Sequence, residues 1–176
     1  MIKMIVGVNV MGRPQKEVLE ERQNFMQIIT DCAKDPSLFS EVFLDHKLFP
    51  YNKKYVNCQD RFIVYRSGRQ VGKTMSTAVK TIHFAFFAPV LLKTVKHECI
   101  ILIAAPTQNQ ASIMFGRIRD LVMKSEFLRG YVVRDTQTEI SLNFLDGSGK
   151  TTIITRATGE TGITLRGYSP HVIIAD

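Results

Sequence analysis

Apolar residues recur at helical spacing in some stretches of this chain and run without interruption in others. From Pro14 to about Ala33, Val18, Leu19, Phe25, Met26, Ile28 and Ile29 sit among charges, which predicts an amphipathic helix with Pro14 in its first turn. Asp35-Pro36-Ser37 interrupts that pattern, and Leu38 to Leu44 reads as a second short helix capped by Ser37 or Asp35. Leu48-Phe49-Pro50-Tyr51 is expected to be extended, because a residue before proline avoids the helical region. Arg61 to Arg66 is a short β-rich run ending at a Ser-Gly turn, and Thr74 to about Phe87 is a helix stopped near Pro89.

Cys99 to Ala105 is continuously apolar, the pattern of a strand buried on both faces of a parallel sheet. Gln108 to about Lys124 carries Ile113, Met114, Ile118, Leu121 and Val122 at helical spacing. Glu139 to Leu145 and Thr151 to Arg156 flank Asp146-Gly147-Ser148-Gly149, which is hairpin chemistry. Val172 to Ala175 is expected to be a final buried strand, followed by Asp176. Strand, helix, strand, helix, hairpin, strand predicts an α/β domain with a mostly parallel sheet.

Composition narrows the function. A 45% hydrophobic and 22% charged content in 176 residues suits one globular domain with a real core. Lys and Arg number 23 against 16 Asp and Glu, a formal net charge of +7 that favours a polyanionic partner. Cys32, Cys58 and Cys99 are odd in number and lack CxxC spacing, so neither a disulfide framework nor a zinc site is expected. The four histidines show no metal-binding spacing, no run is long enough to span a bilayer, and nothing at the start reads as a signal peptide. A soluble intracellular protein is expected.

The most informative stretch is Ser67-Gly68-Arg69-Gln70-Val71-Gly72-Lys73-Thr74, set between a predicted strand and a predicted helix. That context is the one a phosphate-binding P-loop, or Walker A motif, requires. Gly72 permits the tight turn that points successive N–H groups at phosphate oxygens, and the helix N-terminus adds partial positive charge. In such a loop Lys73 bridges the β- and γ-phosphates of ATP and the Thr74 hydroxyl coordinates Mg²⁺. The loop departs from GxxxxGK[ST] at Ser67, with Gly68 one place later, and it places Arg69 and Gln70 inside the loop. Arg69 is a candidate for stabilising charge that develops on the γ-phosphate; solvent or DNA is the alternative destination for its side chain.

A P-loop written Arg-Gln-x-Gly-Lys-Thr resembles that of viral, phage-type terminase large subunits, the motors that package DNA. Asp35-Pro36-Ser37-Leu38-Phe39 and Leu48-Phe49-Pro50-Tyr51-Asn52 are similar to the lead-in of that family's ATPase domain. Ala104-Ala105-Pro106-Thr107-Gln108-Asn109-Gln110-Ala111 is similar to its A-P-T-x-x-Q-A segment. Leu165-Arg166-Gly167-Tyr168-Ser169 and then Val172-Ile173-Ile174-Ala175-Asp176 are similar to its approach to Walker B. The resemblance covers about residues 35 to 176, with residues 1–34 as a helical lead-in and 35–176 as an incomplete P-loop ATPase domain.

The resemblance implies an additional-strand-class P-loop core that ends with the Walker B strand. It implies ATP and Mg²⁺ as cofactors, with Thr74 and Asp176 at the metal and Lys73 and Arg69 as catalytic groups. Asn52 lies where the family often has a glutamine that reads adenine; a purely structural asparagine is the other reading. Double-stranded DNA is the implied substrate, portal and small terminase subunits in a ring oligomer the implied partners, and the host cytoplasm the implied location, away from membranes. The family's glutamate after the Walker B aspartate, its coupling motif and its nuclease domain have no counterpart in the sequence, so a fragment with little turnover of its own is expected. Two other readings stay open at this point. One is a helicase-like P-loop ATPase, because an A-P-T segment also occurs there, and the other is a non-catalytic remnant that binds nucleotide or partners.

Overall fold

The computed structural model describes residues 15–159 and 167–175. Pro14, Leu165, Arg166 and Asp176, which carry expectations above, lie outside those residues. The described elements are helices α1 (Gln15–Lys34), α2 (Pro36–Phe43), α3 (Pro50–Val56), α4 (Lys73–Phe86), α5 (Ala88–Leu91), α6 (Gln108–Lys124) and α7 (Glu126–Arg129). The strands are β1 (Glu98–Ala105), β2 (Val132–Asp135), β3 (Glu139–Asn143), β4 (Lys150–Ala157) and β5 (Val172–Ala175).

The strands form one five-stranded sheet in the order β2-β3-β4-β1-β5. β1 runs parallel to β4 and to β5, while β2, β3 and β4 are successively antiparallel. The sheet is therefore mixed, with a parallel core and an antiparallel arm. The arm follows from the turn at Asp146: its carboxylate accepts from the Ser148 N–H at 3.0 Å and Gly147 takes φ 70°. Gly149 must stay small, since a Cβ there would stand 2.0 Å from the His97 carbonyl oxygen.

One core joins sheet and helices. Cys99, Ile101 and Ile103 of β1, Ile140 and Leu142 of β3 and Ile153 of β4 pack with Val79, Ile82 and Phe86 of α4 and Ile118 and Val122 of α6. Phe39 and Phe43 of α2 bring the N-terminal helices into the same core through ring contacts with Phe86, Phe87 and Phe127. Asp35 is the cap of α2: its side chain accepts from the backbone N–H of Ser37 and Leu38, and Pro36 occupies the first turn.

Several expectations change. The extended segment ends at Phe49, and Pro50 opens α3, because proline suits the first turn of a helix whose N–H there is unused. Among the described residues Arg61 to Arg66 joins no ladder: Arg61 and Phe62 lie in a bend, and Phe62 and Val64 are 83% and 85% exposed. β-propensity reports how a side chain suits a pleated surface, and a ladder also needs a neighbouring backbone. β5 forms as expected, but among the described residues it pairs only with β1, and Ile173 on it is 61% exposed, so it is an edge strand there and not a buried one. The helices α5 and α7 and the strand β2 had no counterpart in the sequence reading, and Pro89, expected to stop a helix, lies in the first turn of α5.

Candidate functional site

The loop from Ser67 to Thr74 follows the irregular segment Arg61 to Arg66 and enters α4 at Lys73. Its shape depends on two residues in the left-handed region: Gln70 at φ 59° and Gly72 at φ 81°. Glycine adopts that region without penalty, whereas for glutamine it is an uncommon, strained conformation. Gly72 is the N-cap of α4 and supplies no side chain to the first free N–H groups of the helix. Those donors, with the positive end of the helix dipole, form the ready anion site of a helix N-terminus.

The polar side chains around the loop fit a phosphate group. Lys73 is exposed, and its Nζ donates to the Ser67 carbonyl at 3.2 Å, curling back over the loop. Ser67 Oγ is buried and meets no hydrogen-bond partner among the described residues. A buried hydroxyl without a partner, beside a lysine and an uncapped helix start, matches the donors an anion needs. Arg69 and Gln70 form the exposed crest of the loop. Gly68 and Val71 complete it, and Thr74 lies half-buried in the first turn of α4.

Of the two readings of Asn52, base contact or structural support, its surroundings bear on the second. It is 2% exposed, beneath the loop, and its Nδ2 donates to the Val71 carbonyl at 3.0 Å. Its Oδ1 accepts from the Tyr65 hydroxyl. Both ends of the amide are thus engaged within the protein. Tyr65 in turn stacks on Tyr55 of α3, with ring centroids 4.0 Å apart and planes 7° from parallel. Tyr55 also shares a hydrogen bond with Thr77 of α4.

Lys80, buried on α4, ties these parts together. Its ammonium donates to the carbonyls of Val56, at 2.8 Å, and Cys58, at the C-terminal end of α3. It also lies 5.7 Å from the centroid of the Tyr55 ring and 5.3 Å from that of Phe84. Burial lowers its pKa below the ordinary lysine value. The sequence reading missed Lys80, Tyr55 and Tyr65. A lysine within the apolar stretch Ala78 to Ile82 was the available signal for the first.

A groove of about 820 Å³ lies alongside the loop, bordered by Lys73 and Thr74 of α4, Ile63 and Tyr65 of the segment before the loop, and Ile174 and Ala175 of β5. The structure thus brings the last described residue before Asp176 to the same groove as Lys73 and Thr74. Asp176 itself lies outside the described residues. The groove runs along β5, from Pro170 to Ala175, beside Thr77 and Thr81 of α4. Among the described residues no group of three His, Cys, Asp or Glu side chains could hold a metal ion alone. No described helix is long and apolar enough to cross a membrane.

The solved structure of the HK97 bacteriophage large terminase matches this chain with a TM-score of 0.59 and 21% sequence identity. The likeness is one of fold. It covers 82% of this chain and 30% of the terminase, so the chain spans under a third of that protein's length. No protein-family model matches the chain, and no curated protein does. The terminase-like reading of the sequence therefore agrees with the fold, and what the individual loop residues do is argued from their chemistry.

Proposed function

We propose that this chain is the nucleotide-binding part of an ATP-driven DNA-packaging motor of the terminase large-subunit kind. The observation that carries the reading is the Ser67–Thr74 loop: a left-handed glycine caps α4 without a side chain, beside a lysine and a buried hydroxyl lacking a partner among the described residues. The fold shared with a phage large terminase supports it. The net charge of +7 supports double-stranded DNA as the second ligand. Portal and small terminase subunits, in a ring assembly within the host cytoplasm, are the surroundings this reading implies.

In this reading the backbone N–H groups from Gly68 to Gly72 and the Ser67 hydroxyl would hold phosphate oxygens. Lys73 would neutralise the β- and γ-phosphates, and Thr74 with Asp176 would hold Mg²⁺. Bound MgATP supplies the phosphoanhydride whose cleavage drives movement. Arg69, on the exposed crest, would meet the charge spread over the γ-phosphoryl oxygens in the transition state. Asn52 shapes the loop from below in this scheme, its buried amide bonded to Val71 and Tyr65.

Titration with a fluorescent ATP analogue in the presence of Mg²⁺ tests the proposal. Wild-type protein should bind, and Lys73→Ala should lose that binding, because no other loop side chain is placed to neutralise two phosphates. Equal affinity in the two proteins would overturn the assignment.

A further inference from the structure

Asn52 makes a contact that suits the structural reading of this residue. Its amide N–H reaches the Val71 carbonyl at 3.0 Å, inside the phosphate loop and 19 residues away in sequence. In a trans peptide the carbonyl and the following N–H point in opposite directions. Holding the Val71 carbonyl down toward buried Asn52 therefore turns the Gly72 N–H away from the protein interior. The residues on either side of Val71, Gln70 and Gly72, are the two left-handed positions of the loop. A Cβ added to Gly72 would stand 3.0 Å from Asn52 Nδ2, so the amide also packs closely against this peptide.

The amide is itself held. Tyr65 donates its hydroxyl to Asn52 Oδ1, which aims Nδ2 at the loop. The Tyr65 ring is stacked on Tyr55, whose hydroxyl meets Thr77 of α4. Lys80 of α4 fastens the last carbonyls of α3, the helix that carries both Asn52 and Tyr55. The helix below the loop is therefore bound to the helix that the loop starts.

We propose that Tyr65 and Asn52 form a latch that holds the phosphate loop in its anion-receiving shape before any ligand arrives. The proposal rests on reading the loop as a phosphate site. Asn52 is then a positioning residue that acts through the Val71–Gly72 peptide and touches no ligand atom. Without the latch, the left-handed pair at Gln70 and Gly72 relaxes, and the loop must be reordered each time a phosphate binds. Ordering at the moment of binding lowers affinity, which is the reason preorganised sites bind more tightly.

The test combines a ligand-free and a ligand-bound measurement on the full chain, for wild type, Asn52→Ala and Tyr65→Phe. Tyr65→Phe keeps the ring stacked on Tyr55 and removes only the hydroxyl, so its fold is retained. In the ligand-free protein, amide hydrogen exchange should speed up in residues 67–74 of both variants and stay unchanged in β1 and β4. MgATP affinity should fall roughly threefold to tenfold in each, the weight of one lost hydrogen bond. Unchanged exchange in the loop, or a rise spread evenly over β1 and β4, would overturn the latch. Faster loop exchange with unaltered MgATP affinity would also overturn it, since the held shape would then not serve binding. A wild-type protein that fails to bind MgATP overturns the phosphate-site reading alone, and the exchange result still decides whether the latch exists.

Discussion

His83 ties the N-terminal helices to α4, the helix that follows the Ser67–Thr74 loop, and it makes that scaffold sensitive to acid. The side chain is 2% exposed, edge-on to Phe39 and close to Phe87. Its Nε2 lies 2.9 Å from the Cys32 carbonyl, which can only accept, so the neutral ring carries its proton on Nε2. Burial pushes the pKa down from 6.5 to about 4, with nearby Lys80 acting in the same direction, while the backbone carbonyls and Asp35 oppose the shift. The folded state thus refuses a proton that the unfolded chain accepts below pH 6.5. Stability from the neutral ring is full above that pH and is lost as the pH falls toward 4. A difference of about 2.5 pH units corresponds to roughly 3 kcal/mol, of which about 2 kcal/mol has gone by pH 5. Urea unfolding of wild type and His83→Gln, measured at pH 7 and pH 4, reads this directly. Glutamine retains an N–H donor for Cys32 but does not titrate, so the other acid-sensitive groups cancel in the comparison. The wild-type midpoint should drop by about 1 to 2 M more than that of the variant. Equal losses in the two proteins, or an NMR titration of His83 centred near pH 6.5, would refute the reasoning.

Other expectations follow from single contacts. Lys80→Met removes the donor shared by the Val56 and Cys58 carbonyls and should lower stability by about 1 to 3 kcal/mol, measured by chemical unfolding. Asp35→Ala deletes the α2 cap, and with it the hydrogen bonds to Ser37 and Leu38, for a loss of about 1 kcal/mol in the same assay. Gly149→Ala drives a methyl group into the His97 carbonyl and should cost about 1 to 3 kcal/mol or shift the β3–β4 turn, visible in the spectrum of that hairpin. Binding to duplex DNA should show little sequence preference and should weaken steeply between about 50 and 200 mM salt, as a phosphate-directed interface does. Anisotropy titrations with unrelated duplexes at both salt concentrations check this.

Much of the fold was legible because its determinants are local. The span Gln108–Lys124 of α6 agrees with its helical period, and Thr107 caps it through a hydrogen bond to the Gln110 N–H. β1 coincides with the apolar run Cys99 to Ala105, extended by Glu98, because burial on both faces leaves no alternation to misread. The Asp-Gly-Ser-Gly turn specified the β3–β4 hairpin by its own backbone needs. The loop from Ser67 to Thr74 stood out because a glycine, a lysine and a hydroxyl must fall at set spacing around a helix start.

Placement of the loop's supports was not legible, since it depends on residues far apart in sequence. Asn52 as a residue type is compatible with reading a base, capping a turn or holding a carbonyl. Only packing α3 beneath the loop, with Tyr65 stacked on Tyr55, directs its amide at Val71. The run Arg61 to Arg66 likewise has the side chains of a strand, and β5 the composition of a buried one. Whether either is flanked depends on which backbones the fold brings alongside, and that pairing is a property of the assembled sheet. The sequence by itself determined most of the elements and marked the Ser67–Thr74 loop as a candidate phosphate site, because those signals arise within a few residues. The tertiary structure alone decided which side chains hold the loop in shape and which strand edges remain open, because both require groups distant in the chain to meet.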